Sequence, residues 1–84
     1  MKLIFFYAYI LRSICHNTCY YGSTSNLDKR IKDHNNGRVR YTKGKRPWIL
    51  HYSEEFQTKS DAMKREKFFK TIDGYNYLKS QKII

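Results

Sequence analysis

Glu66 stands where a hydrophobic residue belongs. In the segment SDAMKREKFFKTI, Ala62, Met63, Phe69 and Ile72 recur at helical spacing, and Glu66 falls four residues after Ala62 and three before Phe69. An ionised carboxylate is costly to desolvate unless it is paired or holds a cation, so Glu66 calls for a partner such as Arg30 or Mg2+. Arg30 and His34, four apart, neighbour each other on an earlier helix whose apolar stripe runs through Leu27 and Ile31. On an isolated helix, a snorkelling arginine and a half-buried histidine would be the ordinary account. Tyr7 and Tyr9 share one face of a first strand, and Tyr20 and Tyr21 lie on opposite faces of a second. A hairpin would bring Tyr9 and Tyr20 together, where cross-strand aromatic packing is the bland explanation. Glu54 and Glu55, at a strand end, read as surface charges.

Cys15 and Cys19 flank His16 in CHNTC. A structural zinc needs four ligands, which this stretch does not supply, so ordinary reduced thiols are expected, and with them a reducing cytoplasm. A zinc-binding interaction module built on Cys15, His16 and Cys19 is the outlying alternative.

The elements that position these residues follow from pattern. The apolar run from Leu3 to Leu11 is too short to span a bilayer, which takes about 20 residues. Arg12 closes it, and SICHN offers no A-x-A cleavage signal. It reads as a buried central strand, with Leu3, Phe5, Tyr7, Tyr9 and Leu11 on one face and Ile4, Phe6, Ala8 and Ile10 on the other. A turn over residues 13–18 leads to a strand around CYYG, which Gly22 is expected to end. Ser25 or Asn26 caps a helix through LDKRIKDHNN, stopped at Gly37. GRVRYTKGKRP is a loop and WILHYSEEF alternates like a third strand. Thr58 or Ser60 caps a helix through AMKREKFFKTI, broken by Gly74, and a last helix lies around YNYLKSQK. The order β-β-α-β-α-α implies an α+β fold with a three-stranded, largely antiparallel sheet and flanking helices.

Eighty-four residues without repeats or linkers make one domain, 1–84. Eight Tyr, five Phe and one Trp can fill the small core such a chain allows. The formal charge is +10, and residues 27–46 hold eight basic and two acidic side chains. That concentration points to a polyanion, nucleic acid before an anionic membrane surface.

The combination resembles the GIY-YIG endonuclease family, in its small standalone branch, and is similar to the N-terminal catalytic domain of the excision-repair nuclease. Tyr7-Ala8-Tyr9 stands where the family has GIY, and Tyr20-Tyr21-Gly22 where it has YIG. Arg30 follows ten residues after Tyr20, His34 four later, and Glu66 matches the acidic metal ligand of the later helix. The sequence departs from the pattern at Tyr7, Ala8 and Tyr21. Asn76 is the nearest counterpart of an asparagine that some members place after the acidic residue.

The resemblance implies hydrolysis of DNA phosphodiesters with one divalent metal, Mg2+ or Mn2+, anchored by Glu66, and a DNA-repair setting. It casts Arg30 on the scissile phosphate, Tyr9 as general base, and Tyr20 and His34 as groups that orient water and phosphate. His34 is a rival base, since its ordinary pKa lies nearer neutrality. Arg38, Arg40, Lys43, Lys45 and Arg46 would contact double-stranded or branched DNA, with Tyr41 and Trp48 available for stacking or packing. Five phosphate contacts would give a log–log salt slope of about −4.5. With no element for base readout, structure-selective or weakly sequence-selective cleavage is expected. The alternative is a catalytically weak or inactive nucleic-acid-binding module on the same fold. So small a domain leaves room for a protein partner or a homodimer.

Overall fold

The computed structural model describes residues 4–84. Strands β1 (Phe6–Ser13) and β2 (Cys19–Thr24) form the opening hairpin, and helix α1 (Leu27–Asn35) follows. A basic loop containing one 3-10 turn at Lys43–Lys45 leads to β3 (Trp48–Phe56), and α2 (Lys59–Phe69) and α3 (Ile72–Ser80) complete the α+β order that the sequence predicts. The sheet order is β2-β1-β3, antiparallel throughout. The apolar opening stretch is therefore the middle strand. Leu3, assigned to it from the sequence, lies outside the described residues. Among those described, no helix is long and apolar enough to cross a membrane.

A central strand must bury both faces, and β1 does. Ala8 and Ile10 pack with Phe69 of α2 and Leu78 of α3. Tyr9 and Leu11 pack with Trp48, and Leu27 and Ile31 of α1 close over them. Each fully buried Ile, Leu or Phe contributes about 1.5–3 kcal/mol, so these few positions carry much of the domain's stability.

Local chemistry sets the helix ends. The Asn26 side chain accepts from the Lys29 N–H, and Gly37 takes φ 77 just past the end of α1, where a side chain would be strained. Thr58 caps α2 by accepting from the Asp61 N–H, and Thr71 caps α3 by accepting from the Gly74 N–H.

Four expectations are corrected. Gly22 does not end β2, which continues to Thr24; it pairs with Tyr9 in the middle of the ladder. The break between the last helices comes at Lys70 and Thr71 rather than at Gly74. Gly74 instead lies in the first turn of α3, where a Cβ would sit 1.8 Å from the Phe68 carbonyl oxygen. Met63 is 41% exposed and Ile72 belongs to α3, where it is 80% exposed, so the buried side of α2 is narrower than the pattern implies, and Glu66 stands at its margin. Glu54 is no loose surface charge. It is half-buried in β3 and accepts from Arg65 Nε at 2.7 Å and Nη2 at 3.3 Å, while the Arg65 guanidinium lies about 5 Å from the rings of Phe68, Phe69 and Tyr77.

Candidate active site

The site begins with the middle strand. Alternation turns Tyr9 toward α1, and the phenol then crosses β2 at its cross-strand neighbour Gly22. A Cβ at Gly22 would lie 2.4 Å from both Cζ and Oη of Tyr9, so the ring has room only because residue 22 has no side chain. Beyond Gly22 the phenol meets α1, where Tyr9 Oη lies 3.0 Å from His34 Nε2. Both residues are buried, Tyr9 to 1% exposure and His34 to none.

The other ring nitrogen of His34 reaches the basic loop. His34 Nδ1 lies 2.8 Å from Thr42 Oγ1, and the Thr42 hydroxyl donates to the Val39 carbonyl. A hydroxyl has one proton to give. With that proton directed to Val39, Nδ1 carries the imidazole hydrogen and Nε2 accepts from Tyr9; the tautomer is thus assigned from the network. Asn35 and Trp48 clamp the loop's ends: Asn35 Oδ1 accepts from the Trp48 N–H at 2.7 Å, and its Nδ2 donates to the Trp48 carbonyl at 2.9 Å. Trp48 Nε1 donates to the Thr42 carbonyl at 2.9 Å, holding Thr42 under the histidine. Trp48 is 2% exposed, so of the two roles open to it, packing is the one observed.

Charge gathers around this buried pair. Burial pushes the Tyr9 phenol up to about 12; the Arg30 guanidinium, as donor and as charge, pulls it down, while Tyr20 and Glu66 push it further up. Burial and the Arg30 charge lower His34 to about 4 against a smaller opposing effect of Asp33, so the imidazole is neutral at pH 7. Tyr20 sets its ring edge against His34, with centroids 5.0 Å apart. Arg30 also lines a cleft of about 400 Å3 together with Ser23, Thr24, Asn26, Lys29 and Lys59.

Glu66 stands apart from the hydrogen-bonded chain. Its side chain is 22% exposed, and Oε2 accepts from Lys70 Nζ at 2.7 Å, one helical turn on. Among the described residues, no group of three or more His, Cys, Asp or Glu side chains could hold a metal ion. The donor set fits a hard cation held jointly by one carboxylate, substrate phosphate and water, not a cage formed by protein alone. Cys15 is exposed and Cys19 half-buried, both as free thiols. Asn76 is exposed on α3.

The basic residues surround the loop. Arg40 and Lys43 are exposed and, among the described residues, in no ion pair. Arg38 lies 3.8 Å from Asp33. Arg46 Nε donates to the Lys43 carbonyl at 2.8 Å, and Lys45 accepts through its carbonyl from the Ser13 hydroxyl at 2.7 Å, so these two also knit the loop together. Thr42 was not legible as part of the site: a threonine inside a Lys/Arg-rich loop carries no burial signal. Its one clue is a tryptophan six residues on that needs an acceptor for its indole N–H.

A model of the GIY-YIG catalytic domain matches residues 5–76 of this chain. A UPF0213 protein of Bacillus licheniformis is 42% identical over 71 residues, spanning 83% of this chain and 72% of that protein. A UPF0213 protein of Staphylococcus haemolyticus is 44% identical over 75 residues, spanning 87% and 89%. Among solved structures, the solution NMR structure of a UPF0213 protein from Bacillus halodurans aligns with a TM-score of 0.55 at 33% identity, over 94% of this chain and 86% of that one. A family model spanning so much of the chain, with Tyr9, Tyr20, Arg30, His34 and Glu66 all inside the matched residues, decides the matter: the chain belongs to the GIY-YIG family, a family generally of nucleases.

Proposed function

We propose that this protein is a divalent-metal-dependent endonuclease that hydrolyses DNA phosphodiester bonds, selecting its substrate by structure or weakly by sequence. The observation that carries the proposal is the buried Tyr9–His34 hydrogen bond, with the charges of Arg30 and Glu66 both acting on the same phenol. Core packing by itself does not call for a buried phenol–imidazole pair beside a guanidinium.

Uncatalysed phosphodiester hydrolysis is so slow that the site must remove a large part of the barrier. Arg30 presents donors to the scissile phosphate and to the charge that builds on it. Tyr9 Oη takes a proton from the attacking water and passes its own to His34 Nε2, as the P–O bond to water forms and the bond to the leaving sugar oxygen breaks. His34 is fully buried with its Nε2 on the Tyr9 hydroxyl, which supports a route for that proton through Tyr9. In this reading Tyr9 contacts the water and His34 stores the proton. Neither group is poised alone, with the phenol near 12 and the imidazole near 4, so the transfer needs substrate and cation in place. A Mg2+ or Mn2+ ion held by Glu66 would supply charge neutralisation at the phosphate and the leaving oxygen. Lys70 occupies Oε2 alone, which leaves Glu66 Oε1 to take such an ion. The free thiols of Cys15 and Cys19 suit work in a reducing cytoplasm.

The Lys70–Glu66 ion pair is also what favours the second reading, a nucleic-acid-binding module of little or no activity, because it satisfies the carboxylate without metal. Nicking of supercoiled plasmid in Mg2+ by the wild type and by Glu66→Ala separates the two. The nuclease reading expects wild-type nicking and a loss of about 100-fold or more in the variant. Equal rates would discard Glu66 as the metal anchor, and DNA binding without nicking would leave the binding module.

A further inference from the structure

Tyr41 is 73% exposed on the basic loop, beside the buried pair. A single exposed aromatic is unremarkable by itself. This one is braced: its ring lies 5.8 Å from that of Tyr20 at a tilt of 40°, and Tyr20 packs edge-on against His34 at 5.0 Å and Trp48 at 6.4 Å. The row of rings runs from the buried histidine outward to solvent and leaves the outer ring bare. Beside it opens a cavity of about 460 Å3 lined by Cys19, Tyr20, Tyr21, Tyr41 and Lys70. That volume falls within the range of small-molecule sites, roughly 300–1,000 Å3. Lys70 joins this cavity to the proposed cation anchor, since it is the residue that pairs with Glu66. Arg40 and Lys43 flank Tyr41 in sequence and are exposed.

We propose that Tyr41, braced by Tyr20, is a stacking platform for an unpaired nucleobase next to the scissile phosphate, so that the substrate is DNA with an unpaired nucleotide at the cleavage point. The inference rests on the nuclease reading for the nature of the ligand. In a continuous duplex every base face is covered by its neighbours, so a phenol ring beside the backbone finds nothing to stack on. A nucleotide in a single strand, bulge or fork offers that face. The flanking cations match its phosphates, and Lys70 adds another at the cavity wall. Stacking tolerates any base, in keeping with the weak sequence selectivity proposed above.

The test uses 2-aminopurine placed in a single strand, or as one unpaired base in a duplex, and is run in EDTA so that no turnover occurs. The wild type should quench the probe on binding. Tyr41→Ala should abolish the quenching and weaken binding of the unpaired probes about 5- to 150-fold, with affinity for a fully paired duplex unchanged. Tyr41→Phe, which keeps the ring, should behave as the wild type. Tyr41 is exposed, so removing its ring leaves the core intact. Absence of quenching with the wild type, or an equal loss on paired and unpaired DNA in Tyr41→Ala, would overturn the platform. A protein that quenches the probe yet, in Mg2+, cleaves neither plasmid nor the DNA with the unpaired base would instead sink the nuclease reading alone.

Discussion

His34 should make this protein sensitive to acid in a way that can be calculated. Its imidazole falls from an ordinary 6.5 to about 4 in the fold, because burial and the Arg30 charge both oppose a second positive charge. The folded value lies below the unfolded one, so the unfolded chain takes up the proton first as pH drops. The stabilisation tied to neutral His34 is therefore complete above about pH 6.5 and is lost between 6.5 and 4. At about 1.4 kcal/mol per unit, the whole effect is about 3 kcal/mol, of which about 2.5 should vanish between pH 7 and pH 4.5. With a urea m-value of about 1 kcal/mol per molar, the wild-type midpoint should drop by about 2.5 M over that interval from this group alone. His34→Gln starts lower at pH 7, since it disturbs the contacts to Tyr9 and Thr42, but carries no such titration. The assay is urea unfolding of both proteins at pH 7, 5.5 and 4.5, comparing slopes rather than absolute stabilities so that shared carboxylate titrations cancel. Parallel loss of stability in the two would refute the buried neutral histidine, and with it the proton path from Tyr9.

Two further substitutions probe the support around the pair. Thr42→Val keeps the shape but removes the acceptor for His34 Nδ1–H, leaving a buried donor unpaired at a cost of about 1–3 kcal/mol. Nitrogen NMR of the ring should find Nδ1 protonated and Nε2 bare in the wild type, and the opposite tautomer there would contradict the assigned direction of transfer. Gly22→Ala forces the Tyr9 ring aside and should cost roughly 1–3 kcal/mol, read as a Tm lower by at least about 4 °C, with nicking abolished; an unchanged Tm would mean the ring is not held across β2.

The fold was legible where period and punctuation agreed. WILHYSEEF alternates and is bounded by Pro47, and β3 occupies those same residues. The opening run is apolar on both faces, which only a central strand tolerates, and β1 has α1 on one side and α2 with α3 on the other. Glycine misled twice, because Gly22 and Gly74 serve close approach rather than backbone freedom, and the approaching atoms belong to Tyr9 and Phe68, distant or unremarkable in sequence. In the site, spacing alone left Arg30 and His34 and the facing tyrosines with ordinary explanations; the family resemblance joined them, and Tyr9, Tyr20, Arg30 and His34 do come together. The surroundings of Glu66 were less legible. Its Lys70 partner and the Glu54–Arg65 pair depend on which side of α2 meets the sheet, and the side that does so carries Ala62 and Phe69, not Met63.

One oxygen atom, the Tyr9 hydroxyl, carries the proposed activation of water. Tyr9→Phe keeps the ring across Gly22 and its packing against Leu11 and Trp48, and deletes only the hydroxyl that meets His34. In a single-turnover nicking assay with Mg2+, the variant should be slower than the wild type by about 100-fold or more, the usual range for a lost proton-transfer group. A variant that nicks at the wild-type rate would mean the phenol takes no part in activating water.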